Sequence, residues 1–255
     1  MKYCWMILAV IVFGSIGGLL YLKHHKSKTC LDDATIIVGT NAEYQPFSWV
    51  KDGEIVGLDI DIIKEVGKRL NKKIKIVDMS FTMLIPEIQT GRIQVIAAGL
   101  TPAAERAKQL RFTKPYITGD PLVIITMANK QPITNVQELT GKTVVVNEGY
   151  TADFWASSQS GFSLYRVDNP AMALLALGNG RADAFVAASS SVKPFFDQYG
   201  KEQYQIHSLD GVGDQYALAI SKACPKLYDE IETVMAQMVQ DGTMAALKKK
   251  WGFND

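Results

Sequence analysis

The sequence predicts an α/β fold built as two doubly wound lobes, and two observations predict it. Short apolar runs alternate with helical patterns from residue 35 to residue 98, then the alternation restarts after Leu122. Strand–helix–strand alternation implies parallel sheets covered by helices. Connecting runs near Leu122 and Tyr216 join the two units, so a cleft is expected between them, with ligand sites at the carboxyl ends of the strands. The expected division is lobe 1 over 32–122 plus 215–255 and lobe 2 over 123–214.

Thr35-Ile-Ile-Val-Gly39 reads as the first strand. Lys51-Asp52-Gly53 is a turn signal, and the following Glu54-Ile-Val-Gly-Leu58 reads as the return strand of a hairpin. Leu58, Ile62, Ile63, Val66 and Leu70 recur at helical spacing, which predicts a helix over 59–70. A strand over 73–77 follows, then a short helix over 82–90 stopped by Gly91, then the buried strand Val95-Ile-Ala-Ala98. In the second unit, strands are expected over 122–126, 143–146 and 182–187. Helices are expected over 135–139, 151–156, 170–177 and 190–199, the third opened by Asn169-Pro170 and ended by Gly178-Asn-Gly180. The tail from Pro225 to Trp251 reads as helix, broken at Asp241-Gly242.

The chain has 255 residues, with 27 basic and 26 acidic side chains. Lys2, Lys23, Lys26 and Lys28 precede residue 32 with no acid among them, so the rest is slightly acidic. That balance does not point to nucleic acid. Residues 1–31 combine an uncharged, mostly apolar run (Tyr3 to Leu22) with a basic flank. This is either a cleaved export signal or a retained membrane anchor, and both imply a periplasmic or extracytoplasmic protein. The positive-inside rule favours cleavage, because the flank after the run is more basic than its start. Cys30 and Cys224 can pair in an oxidising compartment or stay free, and Cys4 lies in the apolar run. The three histidines are not spaced as metal ligands, and no metal or other cofactor is expected.

Gly99-Leu-Thr-Pro-Ala-Ala-Glu-Arg106 carries the most chemistry. It follows a predicted strand, Thr101 can cap a helix, and Pro102 suits the first helical position. Oriented N–H groups, a hydroxyl and a guanidinium one turn in together suit a small carboxylate. The plainer reading is a strand–helix turn with a surface arginine.

In order and spacing the chain resembles the periplasmic solute-binding proteins of polar amino-acid ABC importers, over roughly residues 36–253. The motifs are Gly39-Thr-Asn-Ala-Glu-Tyr-Gln-Pro-Phe47, Val56-Gly-Leu-Asp-Ile-Asp61, Leu84-Ile-Pro86, the 99–106 segment, Phe112-Thr-Lys-Pro-Tyr116, Leu139-Thr-Gly-Lys142, Gly180-Arg-Ala-Asp183 and Asp241-Gly-Thr243. The resemblance implies the type II periplasmic-binding-protein fold, with two lobes, two hinge strands and a cleft that closes on ligand for an importer permease to read. It also implies that Arg106 and Thr101 hold the α-carboxylate, helped by lobe-two N–H groups at Thr151. Backbone oxygens near Ala98 and Gly99 would accept from the α-ammonium. Relatives add an acid from lobe two, and its place here is Ala188, a departure from the pattern. Asp214 and Gln215 are possible substitutes, or else hinge-surface residues. Asn41, Glu43, Tyr44 and Phe81 would line the side-chain pocket, with Asn147 and Glu148 behind them. Two flat rings can sandwich a guanidinium or an aliphatic stem. Glu43 facing inward favours arginine, whereas Glu43 facing solvent leaves a neutral pocket suited to glutamine. Trp155, Phe185, Phe195 and Phe196 read as core.

Two other functions fit the resemblance less well. A cyclohexadienyl-dehydratase-like enzyme on this scaffold needs a general acid, for which Glu43 or Glu148 is available. A membrane-tethered sensor would keep the amino-acid pocket and signal to another membrane component, making membrane contact through an uncleaved N-terminal segment.

Overall fold

The structure, a computed structural model, describes Cys30 and residues 34–253. The expected export signal or anchor therefore lies outside the described residues, apart from Cys30. No helix among the described residues is long and apolar enough to cross a membrane.

Two five-stranded sheets form the two lobes. The first contains β1 (Thr35–Thr40), β5 (Lys73–Asp78), β6 (Val95–Ile96), β7 (Leu110–Phe112) and β13 (Ala219–Ser221), in the order β5-β1-β6-β13-β7. The second contains β8 (Ile117–Met127), β9 (Thr143–Asn147), β10 (Ser163–Val167), β11 (Ala184–Ala188) and β12 (Tyr204–Tyr216), in the order β10-β9-β11-β8-β12. A small antiparallel sheet, β2 (Glu43–Tyr44), β3 (Ser48–Lys51) and β4 (Glu54–Val56), sits beside the first. Both large sheets are mixed rather than wholly parallel. β5, β1 and β6 run parallel, as do β10, β9 and β11, but β13 is antiparallel to its two neighbours and β8 to β11 and β12. The antiparallel strands are the ones that carry the chain between lobes or back from lobe 2.

α1 (Leu58–Arg69) buries Leu58, Ile62, Ile63 and Val66 against the first sheet. Its acidic first turn and basic last turn match the helix dipole. The expected strand 54–58 ends early, at Val56. Gly57 turns the chain at φ 140°, where a Cβ would collide with the Phe47 carbonyl, and Leu58 opens the helix. A 3₁₀ turn over Phe81–Met83 leads into α2 (Leu84–Gln89). The helix expected at Thr101 starts later: α3 spans only Ala104–Ala107 and is preceded by Ala103. The Thr101 hydroxyl is instead engaged by a residue distant in sequence.

Lobe 2 adds α4 (Thr151–Ser157), α5 (Pro170–Gly178) and α6 (Ser189–Tyr199). The expected Asn169 cap accepts from the Met172 N–H, and Pro170 fills the first turn, where no N–H partner is needed. The segment over 135–139 is a 3₁₀ turn with Asn135 as its cap. α7 (Pro225–Gln240) and α8 (Thr243–Lys250) return to lobe 1, broken at Gly242 as expected. Cys30 and Cys224 form a disulfide that ties the chain ahead of β1 to the start of α7. Phe185 and Phe196 are buried, and Trp155 and Phe195 pack against the lobe 2 core.

β8 and β12 cross between lobes side by side, paired from Ile117↔Tyr216 at one end to Met127↔Tyr204 at the other. Ile117 and Tyr216 belong to the lobe 1 core, whereas Val123 and Ile125 belong to the lobe 2 core. The pairing register shifts between Ser208 and Gly213 and again between Asp214 and Gln215. These irregularities place the Asp214 side chain toward the cleft and leave Gln215 exposed.

Candidate functional site

Strand ends converge on the cleft. β6 leads to Gly99, β9 to Asn147 and β11 to Ala188, while β12 brings Asp214. With Tyr44, Phe81, Arg106, Tyr150 and Thr151 they line a narrow cavity of about 10 Å³. Gly99 has φ 58°, and a Cβ there would meet the Tyr44 ring. Only glycine allows both that conformation and that approach. Ala98, one residue earlier, is fully buried in the core behind the cavity.

Arg106 is 3% exposed. Its guanidinium donates to the Thr101 carbonyl at 2.9 Å and, across the cleft, to the Gly149 carbonyl at 2.6 Å. The guanidinium carbon also lies 5.4 Å from the Phe81 ring centre and 5.2 Å from that of Phe154. Burial pulls its pKa down to about 10, against the opposing pull of the Asp214 charge, so it stays protonated at neutral pH.

Asp214 is 4% exposed and faces this cation. The Thr101 hydroxyl donates to its Oδ1 at 3.1 Å, and the Thr151 hydroxyl also bonds to the carboxylate. The two hydroxyls meet at 3.3 Å, one from each lobe. Burial raises the Asp214 pKa to about 6 despite these bonds. Asn147 is 2% exposed, lines the same cavity, and its Nδ2 has no hydrogen-bond partner. A buried unpaired donor costs roughly 1–3 kcal/mol, which a polar ligand atom would offset.

A second cavity of about 20 Å³ adjoins the first at Phe81. Asn41, Glu43, Glu148 and Asp168 line it, so three carboxylates face one space. Glu43 Oε2 accepts from Asn169 Nδ2 at 3.2 Å, another contact across the cleft. Asn41 is buried and donates to the Met79 carbonyl. Between the two cavities stands Tyr150, at 5.1 Å from Tyr44 and 4.4 Å from Phe81 by ring centres.

Behind the site a hydrogen-bonded chain reaches the crossing strands. Tyr44 OH lies 3.4 Å from Tyr216 OH, and Tyr216 OH donates to Asp120 at 2.6 Å. Asp120 also accepts from the Ser190 N–H and hydroxyl at the start of α6. A wider groove lies between α6 and the C-terminal helix. Its Lys193 and Lys250 are already paired with Asp197 and Asp61.

Of the residues expected from sequence, Tyr44, Phe81, Gly99, Arg106, Thr151 and Ala188 meet around one cavity, and Thr101 bonds into it through Asp214. Asn41 and Glu43 meet around the adjoining one. Gln215 and Ala98 line neither. Tyr150 and Asp168 were not anticipated. The only local hint was that Asn147-Glu148-Gly149-Tyr150 and Asp168 follow the carboxyl ends of neighbouring parallel strands. Among the described residues no three His, Cys, Asp or Glu side chains are arranged so that they could hold a metal ion.

The model of the bacterial extracellular solute-binding proteins, family 3, matches residues 36–255. The probable histidine-binding protein of Campylobacter jejuni is 29% identical over 218 residues, covering 85% of this chain and 84% of that one. The arginine-binding extracellular protein ArtP of Bacillus subtilis is 26% identical over 220 residues, covering 85% of each. An ancestral arginine-binding protein solved with arginine bound superposes with a TM-score of 0.81 at 30% identity, covering 86% of this chain and 99% of that one. Two mixed sheets, a cleft between them and a match across nearly all the described residues lead to one conclusion: the chain belongs to family 3 of the bacterial extracellular solute-binding proteins.

Proposed function

We propose that this chain captures a basic amino acid, arginine first, outside the cytoplasm and presents it to an ABC importer. The charge order along the site carries this reading. A buried guanidinium and an orphan amide donor stand at one end, a carboxylate beside them, aromatic rings in the middle and three carboxylates at the far end. That order is the complement of an α-carboxylate, an α-ammonium, an aliphatic stem and a terminal cation. Arg106 takes the carboxylate as a bidentate partner, with the Thr101 and Thr151 hydroxyls beside it. Asp214 takes the ammonium, so the acid absent at Ala188 is supplied from the crossing strand. Tyr44 and Phe81 flank the stem, and Glu43, Glu148 and Asp168 hold the guanidinium.

Closure follows from the same contacts. Thr101, Arg106, Asn41 and Glu43 belong to lobe 1, and Thr151, Gly149 and Asn169 to lobe 2. A ligand that bonds both sets favours the state in which they face each other. The permease is the partner that reads this state. The polar groups in the cavities are those of recognition, and the role is binding rather than catalysis.

The test is thermal unfolding of the soluble protein from Cys30 onward against all twenty amino acids and prephenate. A bound ligand raises the midpoint by mass action. A shift with arginine, less with lysine and none with glutamine fits the acidic far cavity. A larger shift with glutamine than with arginine would refute a cationic pocket, and turnover of prephenate would refute a pure binding role.

A further inference from the structure

Tyr150 lies where the proposed ligand's stem has to pass. Its ring packs edge-on against Tyr44 and is tilted against Phe81, the two rings that flank the route between cavities. Its hydroxyl is 3.4 Å from Asn41 Oδ1, in the wall of the acidic cavity. Phe81 lines both cavities and Tyr150 stands against it, so the phenol separates the Arg106 end from the Glu43 end. Tyr150 belongs to the lobe 2 segment before α4, yet it packs against the lobe 1 core. Its backbone is held: the N–H donates to the Asn147 carbonyl, and the neighbouring Gly149 bonds to Asp153 and Arg106. Movement is thus left to the side chain.

We infer that Tyr150 is an internal occupant of the side-chain slot, which a long cationic amino acid must expel to bind. This deepens the proposed function and rests on it for the ligand. Two consequences follow. The ring ties lobe 2 to lobe 1 through Tyr44, Phe81 and Asn41, as a ligand's stem would. It also grades ligands by length. A short amino acid needs Arg106 and Asp214 but not the slot that the ring fills. Arginine gains the acidic cavity only after displacing it, so its affinity is lowered by the fraction of protein in which the slot is filled.

The experiment compares the wild type with Tyr150→Ser and Tyr150→Phe. Serine is a favoured helix N-cap, so Tyr150→Ser keeps the start of α4. Small-angle scattering without ligand is expected to give a larger radius of gyration for Tyr150→Ser than for the wild type, with Tyr150→Phe between them or equal to the wild type. Calorimetry is expected to show Tyr150→Ser binding arginine at least about fivefold tighter, a larger gain than for alanine or serine. Equal scattering together with equal or weaker arginine binding would overturn the inference, since the ring would then be a wall of the pocket. If no amino acid binds either protein but Tyr150→Ser still expands, the arginine reading fails while the internal occupant stands.

Discussion

With Asp214 proposed as the partner of the α-ammonium, ligand affinity should depend on pH with a sign and size that follow from its surroundings. Burial raises its pKa to about 6. A bound α-ammonium stabilises the carboxylate and pulls that value down, so binding releases a proton wherever the free carboxyl is protonated. With a free pKa of about 6, the ionised fraction is about 0.9 at pH 7 and about 0.1 at pH 5. Arginine affinity should therefore fall about tenfold between those pH values, about 1.4 kcal/mol. Titration calorimetry in two buffers of different ionisation heat measures both quantities. It should find about 0.9 proton released per ligand at pH 5 and about 0.1 at pH 7. The free protein responds with the opposite sign. A carboxyl whose folded pKa is raised contributes stability that is full below its unfolded pKa and is lost as pH rises through the folded one. Asp214 and the buried Asp59, each raised to about 6, therefore favour the folded free protein more at pH 5 than at pH 7. The Asp241 carboxyl, held down to about 2, acts outside that window. Affinity that is flat from pH 5 to 8 with no proton release would refute the assignment of Asp214 to the ammonium.

Arg106→Ala should cost at least ~3 kcal/mol of binding, because the ligand carboxylate loses its buried partner, and calorimetry would show affinity lost more than about a hundredfold. Glu43→Gln should weaken arginine binding several-fold and leave a short neutral ligand unaffected, and equal losses for both would make Glu43 structural. Replacing Cys224 with Ser opens the Cys30–Cys224 link, which spans 194 positions. The chain-entropy account gives about 5 kcal/mol for such a loop, seen as a lower denaturant midpoint. Gly99→Ala should destabilise by at least ~1 kcal/mol and weaken binding, since it combines a φ of 58° with a collision against Tyr44.

The parts of the site that one segment builds were legible in the sequence. The 99–106 stretch and the helix start at Thr151 were read as neighbours, and Gly99, Arg106 and Thr151 do line one cavity, with Thr101 bonded to Thr151. The parts that arise where segments meet were not. Thr-Pro at 101–102 is a strong local helix start, yet the hydroxyl went to Asp214, 113 residues away, and the helix shrank to one turn. Tyr150 looked like an ordinary residue before a helix. Its contacts with Asn41, Tyr44 and Phe81 arise only where the two lobes meet across the cleft. β10 was missed because Ser163-Leu-Tyr-Arg-Val167 is a partly exposed edge strand without a continuous apolar run. The antiparallel direction of β8 and the existence of β13 were missed for a related reason. Strand direction depends on which distant partner is chosen, and β13 pairs with strands more than a hundred residues earlier.

That late strand bears on the order in which the chain can fold. β13 sits inside the first sheet, between β6 and β7, yet it follows all of the second sheet in sequence. A chain delivered amino end first exposes β1, β5 and β6 early, with no partner for the open edge of β6 until residue 219 arrives. The second sheet needs only residues 117–216 and is contiguous. Loop closure delays contacts between distant segments. The later lobe should therefore mature first, leaving the unfinished edge of β6 as the segment most exposed to wrong pairing until β13 closes the gap.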